Sequence, residues 1–153
     1  MIRALTDNET HELLEKECYG HLACIENEKR PYLVPIAYVY DGNAIYSFSF
    51  LGTKIDIMRK NPQVCFQAEH LRDDTEWRSA MVWGTFEELA GEEREMAMSL
   101  ILERLWRESS RDHPFFLPFR NSAKTLEKSK DEKSVVLYRI CIEEKKGRIE
   151  VYE

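Results

Sequence analysis

Residues 30–66 constrain the fold more than any other part of the chain, because they read as a strand, a tight turn, a second strand, a helix start and a third strand. Across residues 32–40 apolar side chains occupy both alternating faces, which predicts a strand buried on two sides. Pro35 interrupts that strand. A proline cannot donate to a ladder, so it belongs at a sheet edge or a bulge, where something other than a strand can lie alongside. Asp41-Gly42-Asn43 predicts a hairpin turn in which Gly42 supplies the positive φ. In the return strand Ile45, Ser47 and Ser49 share one face and Tyr46, Phe48 and Phe50 the other. Small hydroxyls then line a side able to take a flat polar ring, while aromatics fill a core opposite.

The next residues, Leu51-Gly52-Thr53-Lys54, lead into a short helix over 55–60 that must end before Asn61-Pro62. Thr53 is the expected N-cap. Free backbone N–H groups, the Thr53 hydroxyl and the Lys54 ammonium would converge there, which is how a helix start holds a phosphate. A second reading stays open from these residues alone, that Thr53 and Asp56 form only a capping box.

The succession Pro31-Tyr32-x-Val34-Pro35, Ile45-Tyr46-x-x-Ser49, Gly52-x-Lys54 and Asn61-Pro62-x-Val64-Cys65-Phe66 resembles the flavin-binding split-barrel proteins related to pyridoxamine-phosphate oxidase, and within them the nitroimidazole-reductase-like branch. The resemblance continues through Trp77-x-Ser79-x-x-Val82-x-Gly84 and Tyr138-Arg139-Ile140. It implies a mainly β split barrel with appended helices, a homodimer, and FMN at the subunit interface. It departs from that branch at Phe48, where members commonly carry a histidine, and chemistry relying on that imidazole is not expected. The tryptophan- and arginine-containing C-terminal signature of true pyridoxamine-phosphate oxidases is also missing, so that activity is not expected.

With 153 residues, of which 43% are hydrophobic and 11% aromatic, the chain can bury one sizeable core, and a single domain over 1–153 is expected. A net charge of −6 gives no basic surface for nucleic acid, so an anionic cofactor must be held by local cations. No apolar run approaches the roughly 18 residues that span a bilayer, and the N-terminus lacks the apolar core of a signal peptide. No membrane association and a cytoplasmic location are the expectation. Cys18, Cys24, Cys65 and Cys141 show no paired metal spacing and read as buried free thiols. His11, His21, His70 and His113 form no ligand pair, so no metal site is expected.

Elsewhere Thr6 and Glu9 have capping-box spacing ahead of a first helix with Leu13, Leu14 and Cys18 on its apolar stripe, stopped by Tyr19-Gly20. A strand over 21–26 and a polar turn over 27–30 follow, with His21 at the surface and Arg30 either a solvated turn residue or one that reaches an anion. A strand over 64–69 and a charged connection over 70–76 lead to a longer strand over 77–89. There Gly84 marks a bulge or a close approach, and with Trp83 it makes either a flavin wall or an ordinary barrel bend. A helix over 92–108 turns Met98, Ile101, Leu102 and Leu105 to the barrel, with Met96 and Trp106 in the core or an interface. Residues 111–120, aromatics between prolines, are irregular and either bury against a sister subunit or form a flap. Residues 121–133 read as solvated. The chain ends in a strand over 135–143, a turn over 144–148 and a last strand over 149–152, giving about seven strands.

The expected site comprises the backbone of Pro35, Ile36, Ala37 and Tyr38 along the ring, Ser47, Phe48 and Ser49 beside it, Thr53 and Lys54 on the phosphate, and Trp83 and Gly84 as a wall. The leading function is a flavin-dependent oxidoreductase that accepts hydride from a nicotinamide donor and reduces a small electron-poor acceptor, with the flavin supplying the redox chemistry. A flavin-binding or redox-responsive module without turnover is the alternative, since fold does not fix function. Haem binding is a weaker one.

Overall fold

The structure, a computed structural model, describes residues 1–109 and 118–152. The sequence expectations for residues 111–117, His113 among them, lie outside the described residues. Strands β1 (Ile2–Ala4), β2 (Tyr19–Glu26), β3 (Arg30–Ala37), β4 (Val39–Tyr40), β5 (Ala44–Phe50), β6 (Gln63–Asp73), β7 (Glu76–Glu88) and β8 (Val135–Val151) form one sheet. Its order is β3-β2-β6-β7-β8-β5-β4, every pairing is antiparallel, and β1 adds to β8. The two ends of that order are consecutive in the chain. Tyr38 joins β3 to β4, so the sheet curls into a barrel closed by covalent connection. The Tyr38 amide donates to Cys18 O at 3.0 Å, and its hydroxyl donates to Leu14 O at 2.7 Å.

Among the described residues four helices surround the barrel: α1 (Asp7–Lys16), α2 (Thr53–Lys60), α3 (Gly91–Ser109) and α4 (Pro118–Ser129). The barrel interior is packed by Leu22, Phe66, Val82, Tyr138 and Ile140, with Leu14 of α1 and Met58 of α2 closing onto it. A second core lies outside the barrel, where Tyr46 and Leu137 meet Ile101 and Leu105 of α3 and Ala123 and Leu126 of α4. Leu126 is fully buried, so truncating it to alanine should cost about 2–5 kcal/mol.

Several expectations need correction. The segment 32–40 is two strands, not one buried on both faces: Leu33 is 64% exposed on β3, which stands at one end of the sheet order beside β2. Pro35 stands on that edge strand, opposite His21, where its missing N–H costs the sheet least. Tyr19 and Gly20 open β2 instead of ending α1, which ends at Lys16. The charged connection over 70–76 is mostly strand, with β6 running to Asp73 before a two-residue turn. The two closing strands are one, β8, which pairs with β5 through its first half and β7 along most of its length; long-range ladders outweigh the local turn signal of Gly147. Among the described residues there are eight strands. Helix α4 is not solvated all round, since Ala123 and Leu126 pack on α3, and Met96 is 58% exposed.

Two glycines are fixed by close approach. A Cβ on Gly84 would lie 2.2 Å from Cys141 O, and the β7–β8 register shifts between Trp83 and Gly84. Its bareness thus serves the neighbouring strand. A Cβ on Gly147 would meet Thr10 Oγ1 at 2.5 Å and Leu5 at 2.8 Å, so α1 can seat on β8 only over a glycine. The turn at Gly42 is as expected, with φ 96° and the Asp41 carboxylate accepting from the amides of Asn43 and Ala44 at 2.8 Å each.

Candidate functional site

Helix α2 covers the barrel mouth with Ile55, Ile57 and Met58 facing in. Its start differs from the expected one. Gly52 is the N-cap, in extended backbone conformation, and Thr53 is the first helical residue. The reason is positional: the N-cap must leave helical angles, the chain does so at Gly52, and glycine carries no side chain to accept a hydrogen bond. Neither a Thr53 cap nor a Thr53/Asp56 capping box forms. The first amides of any α-helix have no acceptor within it, and here no side chain caps them.

Lys54 sits on this first turn, half-buried. Among the described residues it makes no hydrogen bond and no ion pair. Burial holds its pKa below the ordinary lysine value, with the nearby Cys24 thiol offsetting part of the effect. An ammonium that has lost water without gaining a carboxylate is electrostatically unfinished. Added to unsatisfied amides and the positive end of the α2 dipole, it makes this corner complementary to an anion.

The serine face is less open than its sequence pattern. Ser47 is 1% exposed, and its hydroxyl donates to Ala37 O at 2.7 Å, tying β5 to the end of β3. It faces the barrel interior, not a ligand. Ser49 is half-buried and donates to Phe50 O at 2.8 Å. Phe48 turns the other way and packs against the second core with Tyr46, whereas Phe50 is 40% exposed and fills no core. Ile36 and Tyr38 bury their side chains, which leaves backbone and the exposed Pro35 as what this strand presents outward. Tyr138 is wholly buried inside the barrel, its hydroxyl without a hydrogen-bond partner among the described residues, and burial pushes its pKa up to about 12.

Trp83 stands apart from this corner. It lies on the outward row of β7 with Trp77, Ser79 and Met81, opposite Cys65 of β6. Lys54, coupled to the inward-facing Cys24, is on the other side of the sheet. Lys54 thus lies at the start of α2 near Cys24 of β2, Ser47 of β5 is tied to Ala37 at the end of β3, and Trp83 stands on the outward row of β7.

The cysteines are free: Cys18 and Cys24 are buried, Cys65 and Cys141 half-buried. Burial raises the pKa of each, Cys18 to about 11, so none is poised as a thiolate. Among the described residues no group of three or more His, Cys, Asp or Glu side chains could hold a metal ion, and no helix is long and apolar enough to cross a membrane. Arg30 is exposed, 4.0 Å from Glu26. Sequence reasoning missed a groove of about 800 Å³ along β7 and β8, lined by Trp77, Trp83, Lys146 and Arg148. The alternation of β7 could have marked one wall, but the opposite wall needed the unbroken course of β8.

Barrel, helices and the corner at α2 together define a split-barrel protein. Residues 6–149 match the family model described as pyridoxamine 5'-phosphate oxidase, and the chain belongs to that family. It is 30% identical to a FAD-binding protein from Mesorhizobium loti, with 97% of this chain and 98% of that one covered and a TM-score of 0.68. A candidate 5-nitroimidazole antibiotic resistance protein from Bacteroides thetaiotaomicron has the same fold, with a TM-score of 0.70 at 16% identity, covering 97% of this chain and 87% of that one. An uncharacterized protein of Rhizobium meliloti is 36% identical over 88 residues, which is 58% of this chain and 58% of that protein.

Proposed function

We propose that the protein is a cytoplasmic, homodimeric flavoprotein that binds FMN and works as an oxidoreductase, taking hydride from a nicotinamide donor and passing electrons to a small electron-poor acceptor. The observation that carries this is Lys54, a half-buried ammonium without a partner among the described residues, on the uncapped first turn of α2. A terminal phosphate dianion would satisfy both the cation and the amides. The FAD-binding relative at 30% identity supports a flavin. FMN is the form that puts a dianionic phosphate, and not a diphosphate bridge, at a corner built around one lysine.

The separation of Trp83 from Lys54 supports the dimer. One chain offers the phosphate corner and the β3 edge, and a second copy is needed to bring a tryptophan wall to the ring. Leu33 on β3 and Ile25 on β2, 64% and 41% exposed, give that second copy apolar surface to cover. A bound flavin would supply the two-electron redox chemistry. The chain's part is to hold the phosphate through Lys54 and the α2 amides, lay the ring along the Pro35 edge, and exclude water with the partner's aromatic face. Phe48 packs in the second core, so no imidazole takes part there.

Titration of the flavin-free protein with FMN, followed by quenching of flavin fluorescence, tests the reading, with sedimentation giving the oligomeric state. Saturable binding of one FMN per subunit in a dimer is expected. A monomer that leaves FMN fluorescence unchanged would overturn it.

A further inference from the structure

The groove along β7 and β8 has an order that the flavin site does not use. By strand register, Trp83 faces Glu144, Met81 faces Lys146, Ser79 faces Arg148 and Trp77 faces Glu150. Along its floor the sequence of features is therefore aromatic, cation, cation, aromatic. Six residues separate the two tryptophans, roughly 20 Å at the rise of a strand. Lys146 Nζ lies over the Trp83 ring, 5.8 Å from its centroid, so a ring that took its place on Trp83 would carry its phosphate next to the displaced ammonium.

The charges are unevenly spent. Arg3, also in the lining, is paired with Glu9 at 2.8 Å, and Lys145 donates to the Tyr40 hydroxyl at 3.2 Å. Lys146 shares Glu144, at 3.1 Å, in a pair that is mostly exposed and so contributes little. Arg148 makes no ion pair and no side-chain hydrogen bond among the described residues. The carboxylates facing the groove are Asp7 in its lining and Glu144 and Glu150 at its ends. Its middle is cationic on a chain of net charge −6.

We infer that this groove binds the nicotinamide dinucleotide donor, with its two rings on Trp83 and Trp77 and its diphosphate between Lys146 and Arg148. A dinucleotide is itself ring, phosphate, phosphate, ring, and charge and stacking match it in that order. The inference rests on the flavin reading for its purpose, because Trp83 of one subunit faces the flavin of the other across the gap that the donor's nicotinamide fills. The donor's nicotinamide end then lies at the flavin.

The test uses Arg148→Glu, an exposed site whose substitution leaves the packing intact. In flavin-loaded protein, the donor concentration that half-saturates flavin bleaching should rise about tenfold or more, the loss of one charge-assisted contact, with flavin content and dithionite bleaching unchanged. A donor dependence equal to that of the unaltered protein would overturn the inference, as would a variant that loses FMN binding but keeps donor binding. Quenching of tryptophan fluorescence by oxidised nicotinamide dinucleotide in flavin-free protein tests the groove by itself. Saturable quenching weakened by Arg148→Glu is expected, even if no flavin binds. No quenching, or quenching that the substitution leaves unchanged, would contradict the groove while leaving the flavin reading standing.

Discussion

Helices α1 and α2 both begin at a small residue beside the barrel, yet their starts are finished in opposite ways. At α1, Thr6 Oγ1 accepts from the Glu9 amide at 3.2 Å, the Glu9 carboxylate accepts from the Thr6 amide at 2.8 Å, and Arg3 donates to the same carboxylate at 2.8 and 2.9 Å. Two backbone donors and the Arg3 guanidinium thus find side-chain acceptors within the cap itself. At α2 the cap is glycine, no side chain turns back, and the cation on the first turn has no counter-charge among the described residues. A helix start that caps itself has fewer free amides, whereas an uncapped one keeps its first amides free for water or an anion.

The sharpest way to break the α1 side is Gly147→Ala. Its Cβ would strike Thr10 and Leu5, and overpacking of this kind costs about 1–3 kcal/mol. The melting temperature should fall while FMN affinity stays unchanged, because α2 does not rest on that glycine. A matched loss of both in a paired melting and binding experiment would mean the two ends are not independent.

Thr6→Ala removes only the cap and should cost about 1 kcal/mol, measured by urea denaturation, again with FMN affinity untouched. The corresponding change at α2, Thr53→Ala, should leave urea stability within about 0.5 kcal/mol, since Thr53 caps nothing.

The two ends should also titrate differently. FMN affinity is predicted to fall on the alkaline side as the Lys54 ammonium deprotonates, and Lys54→Arg should move that fall upward, because guanidinium stays charged. An affinity flat through the lysine range would remove the ammonium from the site.

The smallest effect is at the acid end. Arg3 above all, with the Thr6 amide, holds the Glu9 carboxyl down at about 2, against 4.5 for an ordinary glutamate. A depressed folded pKa stabilises above the unfolded value and is lost as pH falls through the folded one. The melting difference between the unaltered protein and Glu9→Gln should thus be constant above pH 4.5 and shrink toward pH 2. A difference that persists at pH 2 would separate it from Glu9 ionisation.

How much of this was readable in the chain depended on how local its cause was. The α1 capping box, the Asp41-Gly42-Asn43 turn, the edge position of Pro35 and the helix over 92–108 follow from neighbouring residues and are found in the structure. Lys54 on the first turn of α2 was readable as well. Its isolation from carboxylates was not, because that depends on what the barrel mouth brings near it. The cap itself was misread by one residue, since Gly52 and Thr53 both suit a helix boundary and only backbone angles separate them. Ser47 looked like a ligand-facing hydroxyl because alternation gives a face but not its direction; the register with β8 turns it inward to Ala37. The single long β8 was hidden by Gly147, which sequence reads as a turn and the fold uses as a seat for α1.

FMN affinity and melting temperature measured for Lys54→Ala beside Thr6→Ala give the most direct test of the open α2 start. Lys54→Ala should weaken FMN by about tenfold to a hundredfold, the worth of a charged hydrogen bond, and melt like the unaltered protein without cofactor, while Thr6→Ala should melt lower and bind FMN normally. Lys54→Ala protein that binds FMN with unchanged affinity would contradict the claim that α2 is left open for a phosphate.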